Sequence, residues 1–272
     1  MSIKTNTEEN YILGTDNAEL ERLGYQHRVW SSEADNLWKK AGFSRGQTIL
    51  DLGCGPGFCS VEISQLVGSK GRVYCSDKSP VYLDYLAHKQ PHLGNIETIL
   101  GDFLELNIPE ASLDGIYCRW ALAWVEDPKA VITKVAKFLK PGAVWAAQEY
   151  LNWGSFKVYP QNPAIYKVIE AARKGWREME GDINIGKNLP ELFADAGLAV
   201  EAIEPMSKIG RGGDQVWFWP GTFYDIYTLK LIELGLLTDT DRNEFLEAWA
   251  HVQNSSHGYV VCPNMVSVIG RK

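Results

Sequence analysis

Short apolar runs and helically spaced apolar positions alternate along the first 150 residues of this chain. QTILDL (47–52) is an apolar run that stops at a glycine turn, which reads as a buried strand. From Gly57 to Leu66 the spacing becomes helical, with Val61, Ile63 and Leu66 facing inward. RVYCSD (72–77) predicts a second strand, and PVYLDYLAH (80–88) a helix opened by proline. IETIL (96–100) and DGIYCRW (114–120) predict strands three and four. Pro128 opens the helix PKAVITKVAKFLK, with Val131, Val135, Phe138 and Leu139 on one face, and Lys140-Pro141-Gly142 stops it. AVWAAQEY (143–150) predicts a fifth strand. This alternation implies βαβ units, a mostly parallel sheet and right-handed crossovers. In such sheets a ligand sits beyond the carboxyl ends of the strands, and the glycine turn at 53–57 lies at one of those ends.

After residue 150 the alternation breaks. Residues 161–180 read as one long helix and 187–197 as another, and 198–206 as a strand. Residues 217–235 start aromatic and become a helix, 239–253 form a further helix, and GYVVCPNMVSVIGRK closes the chain as a strand broken by proline. The stretch 207–255 is too long for a simple connection and predicts a cap over the strand ends. At the other end, Thr15 or Asp16 can cap a helix with Glu19 at the capping-box position, followed by Leu20, Leu23, His27 and Trp30 on one face. The chain therefore divides into an N-terminal helical lid (1–45) and a main domain (46–272) with cap insertions at about 151–190 and 207–255.

Composition narrows the function classes. The 272 residues suit one large domain with insertions; 45% are apolar and 22% charged, as in ordinary soluble proteins. A net charge of −7 repels a phosphate backbone, so nucleic acid is a poor expected partner. No apolar stretch is long enough to span a bilayer, and the polar start MSIKTNTEEN lacks a signal-peptide core, so the expected location is the cytoplasm without membrane association. The five cysteines are scattered without zinc spacing and read as reduced, small hydrophobes; no metal is expected. Oligomeric state is not legible.

The glycines at 53, 55 and 57 decide the chemistry. A dinucleotide fingerprint would place its third glycine one residue later, where Phe58 stands. Asp77, at the end of the second strand, is placed to bind ribose hydroxyls. ILDLGCGPG thus resembles the class I S-adenosylmethionine-dependent methyltransferases, whose motif is an apolar strand followed by D-x-G-x-G-x-G, matched at Asp51–Gly57. The resemblance continues through SDKS (76–79), GDFLEL (101–106), CRWAL (118–122) and KPGAVWAAQEY (140–150). The ends, YILGTDNAELERLGYQHRVW and DINIGKNLPELFADAGL, are similar to a bacterial subgroup related to quinone-biosynthesis and natural-product methyltransferases. The resemblance implies a Rossmann-like α/β fold, a doubly wound seven-stranded sheet with its last strand antiparallel. It implies S-adenosyl-L-methionine as cofactor, leaving S-adenosyl-L-homocysteine, and contacts from Asp51, Gly53, Cys54, Gly55, Asp77, Lys78, Asp102, Phe103, Cys118 and Arg119, with Gln26 reaching the methionine end from the lid. Gly53 and Gly55 are then expected to keep a Cβ out of the cofactor's space, and Gly57 to let the next helix pack closely.

The expected reaction is methyl transfer to an O, N, S or C atom of a small apolar or aromatic metabolite. Alignment of nucleophile and methyl can supply roughly 7–11 kcal/mol. A neutral alcohol or thiol acceptor calls for a general base, and Glu149, Tyr150, His257 and His27 are candidates, although each reads more readily as a structural residue. Ten tryptophans are many for this length, and Trp120, Trp153, Trp217 and Trp219 fall where they would ring the strand ends as a substrate pocket or pack as cap core. Two other readings are a protein or RNA methyltransferase and a non-catalytic regulator that binds the cofactor. Against the first stand the acidic charge and CRWA where amino-group methylases carry N/D-P-P-Y/F.

Overall fold

The computed structural model describes residues 17–177 and 181–272. The expected caps Thr15 and Asp16 and the last residues of the helix expected over 161–180 lie outside the described residues. In chain order the elements are α1 (Asn17–Lys40), β1 (Thr48–Leu52), α2 (Phe58–Val67), β2 (Arg72–Asp77), α3 (Pro80–Lys89), β3 (Ile96–Leu100), β4 (Leu113–Arg119), α4 (Pro128–Val135) and β5 (Leu139–Asn152). They continue as β6 (Lys157–Tyr159), α5 (Pro163–Arg177), α6 (Leu189–Asp195), β7 (Ala199–Met206), β8 (Ile209–Arg211), α7 (Gln215–Glu233), α8 (Asp239–Gln253), β9 (Tyr259–Val261) and β10 (Asn264–Arg271).

Seven strands form one sheet in the order β3-β2-β1-β4-β5-β10-β7. β10 runs antiparallel to both β5 and β7, and the remaining pairs are parallel. The strand order reverses between β1 and β4, so the loops leaving these strands diverge there and open a crevice at their carboxyl ends. Both faces are covered. Along β5, Trp145 and Ala147 pack with Leu50, Ile116 and Phe193 on one side, while Val144 and Ala146 pack with Ile49, Tyr117 and Ile63 on the other. The helix starts are specified locally. Ser79 Oγ accepts from Tyr82 N ahead of Pro80, and Asp127 Oδ1 accepts from Ala130 N ahead of Pro128. Thr238 and Asp241 complete a capping box on α8.

A second core stands over the strand ends. α5, α7 and α8 pack together there, and β6, β9 and β8 form a three-stranded antiparallel sheet that ties the 151–190 and 207–255 stretches to the end of the chain. The sequence expectation of one closing strand broken by proline is corrected here. Pro263 separates β9, in the small sheet, from β10, in the large one. The cap core is aromatic, with Phe156, Trp176, Trp217, Tyr224, Phe245 and Trp249 among its buried members. α1 joins the two cores, since its Trp30 packs with the cap and its Leu37 and Trp38 pack against the sheet. Among the described residues no helix is long and apolar enough to cross a membrane.

Candidate active site

The crevice is a cavity of 630 Å³ running from the glycine turn to the aromatic cap. Its first wall is the loop after β1. Gly53 N and Cys54 N both donate to Ser76 O, at 2.9 and 3.0 Å, which fastens the turn to β2. Asp77, at the end of β2, accepts from Gly55 N through Oδ2 (2.8 Å) and from Ser79 N through Oδ1 (2.9 Å). Burial pushes its carboxyl pKa up, while these backbone amides oppose the shift. Asp51 is buried, accepts from Ser60 Oγ at 2.6 Å, and is pushed up to about 6, chiefly by burial.

The glycines divide their work differently from expectation. A Cβ at Gly53 (φ +73°) would lie 2.4 Å from Ala121 Cβ, so the loop after β4 is the first to exclude a side chain there. At Gly57 (φ +80°) a Cβ would meet Leu86 Cδ1 of α3 at 2.6 Å. At Gly55 (φ +53°) a Cβ would meet nothing within 4 Å and would project into open space at the cavity wall.

Asp102 and Phe103, after β3, also line the cavity, with Asp102 Oδ1 accepting from Leu104 N at 2.8 Å. Lys78 lines it too. Arg119, at the end of β4, donates through Nη2 to His27 Nδ1 at 3.2 Å. A guanidinium only donates, so Nδ1 is the acceptor nitrogen and the proton sits on Nε2, which donates to Glu62 Oε1 at 3.0 Å. Nη1 of Arg119 is buried without a hydrogen-bond partner among the described residues, in a side chain that lines the cavity.

The next residue, Trp120, has φ +54°, a left-handed conformation rare for a bulky side chain. Three contacts hold it. Its N donates to Gln148 O, its Nε1 donates to Met265 Sδ, and its ring stacks between Tyr150 (5.6 Å) and Trp219 (6.0 Å). The Arg119 guanidinium lies 4.9 Å over the Trp120 ring. Trp120, Tyr150, Trp153, Trp176 and Phe223 make the far end of the cavity aromatic.

Several expected site residues lie elsewhere. Glu149 is fully buried and outside the cavity; its Oε1 accepts from Ala121 N (2.9 Å) and Leu122 N (2.8 Å), and burial pushes its carboxyl up to about 8. It fastens the loop after β4 instead of facing a substrate. His257 is exposed, 3.1 Å from Ser255 Oγ, and His27 is spent in its bridge to Arg119 and Glu62; neither lines the cavity. Cys118 is buried behind the loop, its sulfur accepting from Trp145 Nε1 at 3.4 Å. Trp217 belongs to the cap core, against Trp249 at 4.7 Å and donating to Gln253 Oε1. Trp219 lines a separate 20 Å³ void behind the aromatic end. Sequence reasoning missed Arg22, Trp176 and Phe223. Arg22 stands one turn before Gln26, which was a usable signal; Trp176 and Phe223 face the cavity only because α5 and α7 pack together.

The methyltransferase-domain family matches residues 49–142, the stretch that supplies β1 to β4 and the loops described above. Residues 49–142 are a methyltransferase domain of the class I type. Among curated proteins the chain is similar to a sterol 24-C-methyltransferase of Eremothecium gossypii, with 23% identity over 75% of this chain and 53% of that protein. It is also similar to a demethylmenaquinone methyltransferase of Staphylococcus aureus, with 29% identity over 52% of this chain and 57% of that one. The chain spans about half the length of these curated relatives. Among solved structures, the methyltransferase fold resembles geranyl diphosphate C-methyltransferase from Streptomyces coelicolor, with TM-score 0.58 and 16% identity over 90% of this chain and 77% of that one. That enzyme was crystallised with Mg²⁺, geranyl-S-thiolodiphosphate and S-adenosyl-L-homocysteine.

Proposed function

We propose that the protein is an S-adenosyl-L-methionine-dependent methyltransferase acting on a small apolar or aromatic molecule. The observation that carries this is one cavity with two different ends. The residues present fit the cofactor. Gly55 leaves open space where a Cβ would stand, Asp77 offers its remaining acceptor capacity to ribose hydroxyls, and the buried Nη1 of Arg119 lacks a partner among the described residues. A carboxylate such as that of the methionine moiety would satisfy Arg119. Phe103 offers an apolar face for a base. Bound there, the cofactor supplies an electrophilic methyl group. The chain's own part is to align the acceptor and exclude water, which the aromatic end does by shape.

The curated relatives act, by their names, on sterols and demethylmenaquinone, which are small molecules with large apolar bodies. The aromatic end of the cavity suits a ligand of that kind. The test has two parts. Calorimetry is expected to show S-adenosyl-L-homocysteine binding and NAD not binding. Tritium transfer from labelled cofactor is expected into a metabolite extract and not into purified RNA or protein. Label entering RNA or protein alone would replace the small-molecule reading, and binding without transfer to any of the three would make the protein a cofactor-binding regulator.

A further inference from the structure

Gln26 lies on α1 with an amide whose two ends are chemically fixed. Its Oε1 accepts from Arg22 Nη1 at 3.1 Å and from Trp219 Nε1 at 2.9 Å. Guanidinium and indole N–H groups only donate, so the amide cannot be reversed. The oxygen is occupied and the Nε2 group, with two N–H donors, is turned away from both partners. Nε2 makes no hydrogen bond among the described residues, and Gln26 lines the cavity.

Its place within the cavity follows from its neighbours. Gln26, Tyr150, Trp153 and Phe223 line both the main cavity and the small void behind it. Gln26 therefore borders the aromatic end of the cavity. Its clamp is rigid. Arg22 is held by Glu19 through two bonds, Nε to Oε2 at 2.6 Å and Nη2 to Oε1 at 2.7 Å, in an ion pair that is almost wholly buried. Trp219 is held by stacking on Trp120 and by its edge-on contact with Trp30 at 5.1 Å.

We infer that Gln26 is a specificity-determining residue that presents a fixed N–H donor to the methyl acceptor, and that the acceptor carries a hydrogen-bond-accepting oxygen, a carbonyl or oxyanion, on an aromatic or apolar body. The inference rests on the methyltransferase reading. A buried site built to donate a hydrogen bond discriminates against a ligand that cannot accept one, because its own donor is left unpaired.

Gln26→Glu tests it with little change of shape. The carboxylate still accepts from Arg22 and Trp219, shares the Arg22 guanidinium with Glu19, and offers the cavity an oxygen in place of N–H. Binding of S-adenosyl-L-homocysteine is measured first by calorimetry, in parent and variant. Failure in the parent sinks the methyltransferase reading itself. A loss of more than about tenfold in the variant alone places Gln26 at the cofactor and overturns the inference. The loaded proteins are then titrated with three probes, acetylnaphthalene, ethylnaphthalene and naphthylmethylammonium. The parent is expected to bind the acetyl probe about 5–10-fold more tightly than the ethyl probe, the worth of one neutral hydrogen bond. The variant is expected to lose that preference and to gain affinity for the ammonium. A preference unchanged in the variant, or a parent that binds none of the probes or does not distinguish acetyl from ethyl, overturns the proposal.

Discussion

Gly53 and Gly55 sit two residues apart on one turn, yet a methyl group added to each meets different surroundings. Gly53→Ala strains a positive φ and drives a carbon to 2.4 Å from Ala121 Cβ, so the variant is expected to lose stability first and cofactor affinity as a consequence. Gly55→Ala carries a backbone strain of about 1–2 kcal/mol but meets no protein atom, so its main expected loss is affinity for S-adenosyl-L-homocysteine. Denaturant melts and calorimetry on the pair decide this, and equal losses of both quantities in both variants would contradict it. Asp77→Asn is expected to weaken the same ligand by about 1.5–3 kcal/mol, the range for a hydrogen bond to a charged group. An effect of only a few tenths would mean that Asp77 serves the loop alone, through Gly55 N and Ser79 N. Part of the lining at this end of the cavity was legible, since Gly53, Gly55, Asp77 and Phe103, picked out by residue type and position, all border it. Of the candidate bases, Tyr150 lines the cavity, whereas Glu149, His257 and His27 do not. Glu149 near the end of β5 and His257 ahead of β9 have suitable chemistry, but whether a side chain faces the cavity or the loop behind it depends on packing that spacing does not encode.

At the scale of elements, the loop after β4 shows how one buried side chain sets a wall of the site. Glu149 on β5 accepts the amides of Ala121 and Leu122, and Ala121 in turn packs on Gly53. Its carboxyl stands near 8 against an ordinary 4.5, because burial penalises the charged form. The folded state therefore binds this proton more tightly than the unfolded chain does. Its contribution to stability is fully present below the ordinary value and is lost as pH rises through 8. Glu149→Gln keeps an oxygen for both amides and cannot ionise. The variant is expected to melt close to the parent near pH 5, and the gap is expected to open in favour of the variant by pH 9, followed by thermal melts across that window. A gap independent of pH would mean that the carboxyl does not titrate there. Most of the elements were legible for the same local reasons that form them. The strands of the sheet are apolar runs closed by turn residues, and α3, α4 and α8 carry their caps in sequence. The small sheet was not legible, since β6, β8 and β9 are three residues each and pair only through contacts between distant parts of the chain.

For the whole molecule, the cavity lies between two cores that are joined through α1, so binding should register on both. Tyr25 OH donates to Gln215 O at 2.8 Å and Gln26 accepts from Trp219, which ties the first half of α1 to α7. Its second half is different. Trp30, Ala34, Leu37 and Trp38 are buried, so these turns are part of the protein's interior and cannot lift away without exposing it. We therefore propose the lid as the first half of α1 rather than the whole of residues 1–45. A ligand at about 100 times its Kd adds roughly 2.7 kcal/mol to the folded state, which, at about 2–4 °C per kcal/mol for a chain of this size, raises the melting temperature by about 5–10 °C. Hydrogen exchange then locates the effect. On adding S-adenosyl-L-homocysteine, amides in 18–28 and 215–224 are expected to slow together, because the hydrogen bonds that join these stretches break when either opens. Amides of β7, on the far edge of the large sheet, are expected to keep their rates, since β7 supplies no wall of the cavity. Slowing confined to the glycine turn would make α1 a fixed wall of the site and would contradict the lid.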